Sequence, residues 1–126
     1  MTIDVKKEVL EAEKRIREYI RETPLEPSPY LSEQGDARVY LKLESSQITG
    51  SFKLRGALNK FLSLTAEQQK QEVITASSGN HAAALAYTLH KFGRKGIIYL
   101  PENVSPAKVE ALRPYGVELR FYGDDC

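Results

Sequence analysis

The sequence is poor in cysteine and has no excess of charge of either sign. Cys126, the last residue, is the single cysteine, which excludes an internal disulfide and a cysteine metal cage and predicts a cytoplasmic protein. The 18 Lys and Arg oppose 17 Asp and Glu, leaving a net charge of +1. This balance argues against nucleic-acid and membrane-surface partners. No apolar run reaches the length of a signal-peptide core or a membrane span.

What the sequence does contain is typical of a soluble globular protein. Hydrophobic residues make up 41% and charged residues 28% of the chain, which argues against a disordered or fibrous protein. A length of 126 residues fits one small domain or a piece of a larger one.

The first half of the sequence predicts two helices and one strand. Apolar residues recur at helical spacing from Val5 to Ile20, and Pro24 ends that amphipathic helix. The prolines up to Pro29 predict an irregular, extended stretch. Alternating apolar and polar residues predict a half-buried strand over 37–43, and a further helix is expected over 52–62.

The second half of the sequence alternates strands with helices. Strands are expected over 73–76, 96–100 and 117–121, and helices over 81–92 and 106–113, the last with Ser105 as its cap. This order predicts an α/β fold, a parallel sheet with flanking helices built from right-handed βαβ units. Because the chain stops just after a strand, the sheet lacks part of its helical cover, and a fragment is expected.

The first motif with chemical content is TGSFKLRGA, residues 49–57. It is a loop that leads into a helix and places Lys53 at the helix start. The positive potential of a helix N-terminus disfavours an ammonium group, and Phe52 beside it can exclude water, so Lys53 is a candidate nucleophilic amine. The alternative is an ordinary solvated lysine.

The second motif is SSGNH, residues 77–81, between a strand and a helix. Backbone N–H groups, two hydroxyls and an amide converge there on a helix N-terminus, which predicts a cradle for a carboxylate or a phosphate. The alternative is a simple helix cap formed by Ser77 or Ser78. Both motifs follow predicted strands, and ligands of such sheets bind at the carboxyl ends of strands, so the two motifs are expected to face one site.

Together the two motifs resemble those of the fold-type II pyridoxal-phosphate enzymes, in particular the threonine/serine dehydratase and serine racemase branch. The resemblance runs from Thr23-Pro24-Leu25 through the LKLE segment of residues 41–44 to the two motifs. Cysteine synthases carry motifs similar to SVKDR and GNTG, and threonine synthases carry motifs similar to SFKDRG and GNTS. This chain instead reads SFKLRG and SSGNHA, which favours the dehydratase and racemase branch. A Walker-type nucleotide site is excluded, because no Gly-Lys-Ser/Thr triplet occurs.

The resemblance implies pyridoxal 5'-phosphate as cofactor and a role for each motif residue. Lys53 would form the Schiff base with the cofactor and act as a catalytic residue, Phe52 would line the cofactor ring, and Asn80 would bond its phenolic oxygen. The substrate carboxylate would be held by Ser77, Ser78, Gly79, Asn80 and His81. Ser78 resembles the racemase residue that acts on the face opposite the lysine.

The activity implied is a dehydratase, or ammonia-lyase, that turns threonine, serine or a related β-hydroxy amino acid into a 2-oxo acid and ammonia. Serine racemase activity and a non-catalytic fragment that binds a small anion stay open as alternatives. The resemblance also implies a homodimer, with residues 1–70 in the large cofactor domain and residues 71–126 in a truncated small α/β domain.

Several family features lie downstream of the matched region. The glycine-rich phosphate loop, the residue that contacts the pyridine nitrogen and the metal-ligand carboxylates of some relatives have no match here, and no metal site is expected. We therefore expect the parent protein to be the enzyme and this chain alone to be inactive.

Overall fold

The N-terminal part of the chain combines helices with a small antiparallel sheet. A computed structural model describes residues 3–124, so Cys126 lies outside the described residues. The helices are α1 (Val5–Ile16, continued by a 3-10 turn over Arg17–Tyr19), α2 (Pro29–Gly35) and α3 (Lys53–Leu62). The strands are β1 (Leu25–Pro27) and β2 (Tyr40–Lys42), and further 3-10 turns cover Glu44–Ser46 and Gln68–Lys70.

The C-terminal part is a parallel sheet in the order β3-β4-β5, which confirms the predicted α/β class. The strands are β3 (Val73–Ala76), β4 (Gly96–Leu100) and β5 (Glu118–Phe121). The crossovers are α4 (Asn80–Lys91) and α5 (Pro106–Leu112), the latter followed by a 3-10 turn over Arg113–Tyr115.

Both crossover helices cover the same face of this sheet. Ile98 and Leu100 of β4 share one buried cluster with Ala86 of α4 and Leu112 of α5. Successive parallel strands that are joined in one direction by right-handed crossovers give this one-sided arrangement. The polar turns that follow β3 and β4 therefore meet at the carboxyl edge of the sheet.

A second part of the core joins the two halves of the chain. Leu54 and Leu58 of α3 are fully buried and pack with Ala84 of α4 and Ile16 of α1. Helix α3 therefore packs directly on α4, although the predicted domain division at residue 70 lies between them. This contact holds the loop before α3 next to the loop before α4.

Several local predictions were wrong. The strand predicted as half-buried over 37–43 is only the three exposed residues of β2, because its partner is the equally short β1. The predicted irregular proline stretch contains β1 and α2, with Ser28 as the N-cap of α2. Ser105 stands at the N-cap position of α5, but its side chain makes no cap hydrogen bond.

Among residues 3–124, none of the helices combines the length and the apolar character that crossing a bilayer requires.

Candidate active site

Lys53 is the first residue of α3, as the sequence predicted to within one residue. The chain reaches it through Gly50, whose φ of 71° lies in the left-handed region that glycine adopts without strain. The Lys53 backbone N–H donates to the Ser51 hydroxyl at 3.4 Å. The Lys53 amine lies 5.0 Å from the centre of the Phe52 ring, and both side chains are exposed.

A buried glutamine, Gln47, fixes the loop before Lys53 by hydrogen bonds. Gln47 is 2% exposed, and its amide oxygen accepts from the backbone N–H groups of Arg21 at 2.9 Å and Ile48 at 3.1 Å. Its amide nitrogen donates to the Arg21 carbonyl at 3.1 Å. Because Gly50 N–H also donates to the Gln47 carbonyl at 2.8 Å, the turn that aims Lys53 is anchored to the segment after α1.

An ion pair joins the same loop to α3. The Arg55 guanidinium donates to Glu44 from Nε at 2.9 Å and from Nη2 at 2.7 Å, and the Thr23 hydroxyl donates to Glu44 at 2.6 Å. Arg55 beside Glu44 lowers the pKa of that carboxyl from 4.5 to about 2, with a smaller contribution from Thr23. The Glu44 side chain, 15% exposed, stays ionised at neutral pH.

The second motif forms the turn between β3 and α4. The Ser77 backbone N–H donates to the Tyr99 carbonyl at 3.1 Å, which ties the turn to β4. The N-cap of α4 is Gly79, and no side chain caps the helix. Neither Ser77 nor Ser78 occupies the N-cap position, although the Ser77 hydroxyl accepts from the Gly79 N–H at 3.4 Å. Among residues 3–124, no side chain accepts from the N–H groups of the first turn of α4.

Three cavities adjoin these motifs. One of about 440 Å³ is lined by Gly50, Ser51 and Phe52 together with residues 40–45, and the other two divide the remaining predicted residues between them. The first of these two, which we call the Lys53 cavity, has a volume of about 440 Å³ and is lined by Phe52 and Lys53 of the first motif and by His81 of the second. Its remaining wall is mainly apolar, with contributions from Phe61, Leu64, Val73, Ile74 and Leu85. An amine at the edge of an apolar cavity suits attack on a carbonyl carbon of a planar ligand.

The second cavity, which we call the Lys108 cavity, has a volume of about 260 Å³. Ser78, Gly79 and Asn80 line it, together with Thr49 of the first loop and Lys108 of α5. The structure thus brings Lys53, Phe52 and His81 to one cavity and Ser78, Gly79 and Asn80 to the other. Ser77, also among the described residues, lines neither of them.

Four structural features of this region were not predicted: the Glu44–Arg55 pair, the buried Gln47, and the positions of Thr49 and Lys108 on the second cavity. Glu44, Thr49 and Arg55 lie inside segments that the sequence singled out, but their contacts depend on tertiary packing. Lys108 lies outside both motifs, and no local signal marks it. Within residues 3–124, no group of three or more His, Cys, Asp or Glu side chains could hold a metal ion.

Comparison with known proteins assigns the family. The family model described as pyridoxal-phosphate dependent enzyme matches residues 16–126. The chain therefore belongs to the pyridoxal-phosphate dependent enzyme family, and the predicted cofactor class is confirmed.

Individual relatives agree with the predicted branch. The chain is 44% identical over 117 residues to the catabolic L-threonine dehydratase TdcB of Staphylococcus aureus, covering 92% of this chain and 34% of that protein. The serine racemase structure of Dictyostelium discoideum matches with a TM-score of 0.86 and 38% identity, over 93% of this chain and 38% of that one. Threonine deaminase isoform 2 of Solanum lycopersicum matches with a TM-score of 0.82 and 31% identity, over 95% and 35%. The chain spans about a third of the length of these relatives.

Proposed function

We propose that the protein is a pyridoxal-phosphate-dependent ammonia-lyase that dehydrates threonine, serine or a related β-hydroxy amino acid to a 2-oxo acid and ammonia. One observation carries the proposal. Lys53 lines a mainly apolar cavity together with His81 of the turn before α4, and the neighbouring residues Ser78, Gly79 and Asn80 of that turn line a second cavity. Similarity to a threonine dehydratase and a threonine deaminase supports this choice of activity.

The residues that line the Lys53 cavity fit the ring of the cofactor. The Lys53 cavity offers a primary amine, an aromatic side chain and an apolar wall to a planar aldehyde. Lys53 and Phe52 would hold the ring. The resemblance assigns the phenolic oxygen to Asn80, but Asn80 lines the Lys108 cavity and not the Lys53 cavity. When bound, pyridoxal phosphate supplies an electron sink for the carbanion at the substrate α-carbon.

The chain's own residues then have distinct tasks. The Lys53 amine would take the α-proton as general base. The expected exclusion of water by Phe52 is not seen, because Phe52 is 58% exposed. The resemblance assigns the substrate carboxylate to residues 77–81, and the N-terminus of α4 with Ser78, Gly79 and Asn80, which line one cavity, would hold it. Ser77 lines neither cavity, and its hydroxyl accepts from the Gly79 N–H at 3.4 Å. Gln47 and the Glu44–Arg55 pair keep the Lys53 loop in position, acting as positioning residues.

Serine racemisation is a second candidate activity, favoured by the position of Ser78. Ser78 lines the Lys108 cavity and not the Lys53 cavity, and the resemblance assigns it to the face opposite the lysine. Proton removal by one group and return by another is what racemisation requires. The similarity to serine racemase supports this candidate.

Product analysis decides between the candidates. The full-length parent protein, supplied with pyridoxal phosphate, is incubated with L-threonine, L-serine and D-serine, and 2-oxo acid, ammonia and the opposite serine enantiomer are measured. A dehydratase yields equal amounts of 2-oxo acid and ammonia. Formation of D-serine from L-serine without ammonia would favour the racemase, and no product from any β-hydroxy amino acid would contradict both.

We also propose that the protein works as a cytoplasmic homodimer. The single cysteine supports the cytoplasmic location. The resemblance to dehydratases and racemases that act on small amino acids supports the homodimer. Light scattering of the purified protein tests the dimer, and a monomer at micromolar concentration would overturn it.

A further inference from the structure

The structure separates His81 from the other residues of the turn that precedes α4. Ser78, Gly79 and Asn80 line the Lys108 cavity, whereas His81, the second residue of α4, lines the Lys53 cavity. The His81 side chain is exposed, so its imidazole is accessible to a ligand in that cavity. His81 therefore stands with the candidate nucleophile and apart from the candidate anion cradle.

Helices α3 and α4 run in the same general direction along this cavity. Leu54, in the first turn of α3, shares a buried cluster with Ala84 of α4. Phe61, seven residues further along α3, shares a buried cluster with Leu89, which is five residues further along α4. Both helices therefore begin at the same end of the cavity, and their first turns carry Lys53 and His81.

The chemical inventory of the cavity makes His81 distinct. Its titratable lining residues are Lys53, Lys60 and His81, and among the described residues no carboxylate, cysteine or tyrosine lines it. Lys60 follows Lys53 by seven residues, roughly 10 Å along the axis of α3, and so lies away from the end that Lys53 shares with His81. Imidazole is the one side chain of these three kinds that ordinarily titrates near neutral pH, so it can both donate and regain a proton there.

We propose that His81 is the general acid of the dehydration, the group that protonates the departing β-hydroxyl. As Lys53 takes the α-proton, the electron pair of the Cα–H bond forms a Cα=Cβ double bond, and the Cβ–O bond breaks with its electron pair going to oxygen. The His81 imidazolium gives that oxygen its ring proton, so water departs and a neutral imidazole remains. The proton gained by Lys53 then returns through solvent to His81, and the step consumes no further acid.

This inference rests on the proposed function and gives His81 a different role from the one that the resemblance implies. A ligand of the substrate carboxylate serves every amino-acid substrate alike. A general acid serves only those substrates whose leaving group needs a proton. The leaving group therefore distinguishes the two roles.

The test compares two leaving groups in the full-length parent protein supplied with pyridoxal phosphate. L-Serine loses hydroxide, which must be protonated, and β-chloro-L-alanine loses chloride, which needs no proton. We expect His81→Gln to lower kcat for L-serine about a hundredfold and to leave kcat for β-chloro-L-alanine within about threefold of the parent. Equal losses with both substrates would overturn the proposal, and so would an unchanged rate with L-serine.

Chemical rescue and a matched control support the assignment. Added imidazole should raise the L-serine rate of His81→Ala, because it replaces the missing acid, and should leave the β-chloro-L-alanine rate unchanged. No increase with L-serine, or equal increases with both substrates, would overturn the proposal. His90→Gln removes the other histidine, which is exposed near the C-terminal end of α4 and lies edge-to-face with Tyr115, and it should keep the parent rates.

A measurement without turnover separates this inference from the proposed function. Pyridoxal phosphate is attached to Lys53 of this chain and reduced with borohydride, and the ring C–H signals of the two histidines are followed by NMR. We expect the His81 signal to shift and the His90 signal to stay. Attachment without a shift of the His81 signal would reject only the role of His81, whereas failure of attachment would reject the lyase itself.

Discussion

The Arg55 guanidinium and the Glu44 carboxylate form a two-point ion pair, with donor–acceptor distances of 2.9 and 2.7 Å. The pair spans the loop that presents Lys53, since Glu44 precedes that loop and Arg55 lies in the first turn of α3. Both side chains are mostly shielded from water, with 15% of Glu44 and 31% of Arg55 exposed. Such geometry favours the ionised form of the carboxylate.

Stability is expected to fall in acid because of this pair. The folded-state pKa of Glu44 is about 2, below its ordinary value of 4.5. The pair's contribution is therefore complete above about pH 4.5 and is lost as the pH falls toward 2. Thermal unfolding measured from pH 7 to pH 2 should show Tm falling over this window.

Glu44→Gln identifies the source of that loss. The variant should be less stable than the parent at pH 7 by on the order of 1–3 kcal/mol, and the difference should shrink toward pH 2. Glu110→Gln, which breaks a pair with both side chains about two-thirds exposed, should cost little. A constant difference between Glu44→Gln and the parent at every pH would contradict the assigned pKa.

Gln47 is expected to contribute strongly to stability. Replacement by Leu keeps most of the side-chain volume but leaves the Arg21 N–H, the Arg21 carbonyl and the Ile48 N–H without their partner. We expect Gln47→Leu to lower the free energy of unfolding by about 2 kcal/mol, measured by urea denaturation. Gln71→Leu, at an exposed position, is the control, and equal effects of the two changes would refute this role of Gln47.

Gly96 is expected to tolerate no side chain. A Cβ atom there would lie 2.4 Å from Leu89 Cδ1 and 2.8 Å from the Val73 carbonyl oxygen, so the Leu89 side chain would have to shift and the β3 backbone would have to move away from β4. Gly96→Ala should cost about 2–4 kcal/mol of unfolding free energy. Gly35→Ala, with nothing within 4 Å of the added atom, should be close to neutral. A small effect at Gly96 would mean that the α4–β4 contact is looser than described.

The sheet could be predicted because its signals are local. Strands β3 and β4 match the expected residues 73–76 and 96–100, since each is a short apolar run bounded by polar or turn residues. The secondary structure of the segment with Pro24, Pro27 and Pro29 was harder to predict. Proline forbids a helix interior but fits an edge strand and the first turn of a helix, and the chain uses Pro27 in β1 and Pro29 at the start of α2.

The site was predictable only in part, for a related reason. Lys53 and residues 77–81 belong to contiguous motifs, and the structure brings Lys53 and His81 to one cavity. Thr49 and Lys108 come together only because α3 packs on α4 and α5 crosses back over the same face of the sheet. Contacts of this kind depend on the tertiary fold and leave no periodic signal in the sequence.

Lys53→Ala should abolish attachment of the cofactor without disturbing the fold. The Lys53 side chain is exposed and contacts the Phe52 ring, so its removal takes away an amine and no core volume. The protein is incubated with pyridoxal phosphate, reduced with borohydride and analysed by peptide mapping with mass spectrometry. The cofactor should be found on Lys53 in the unsubstituted protein, and no such product should be found in the Lys53→Ala variant. Lys91→Ala, which removes an exposed lysine at the C-terminal end of α4, should retain the modification of Lys53. Labelling of Lys53→Ala to the same extent as the parent would show that another lysine holds the cofactor, and the assignment of the Lys53 cavity as the active site would then fail.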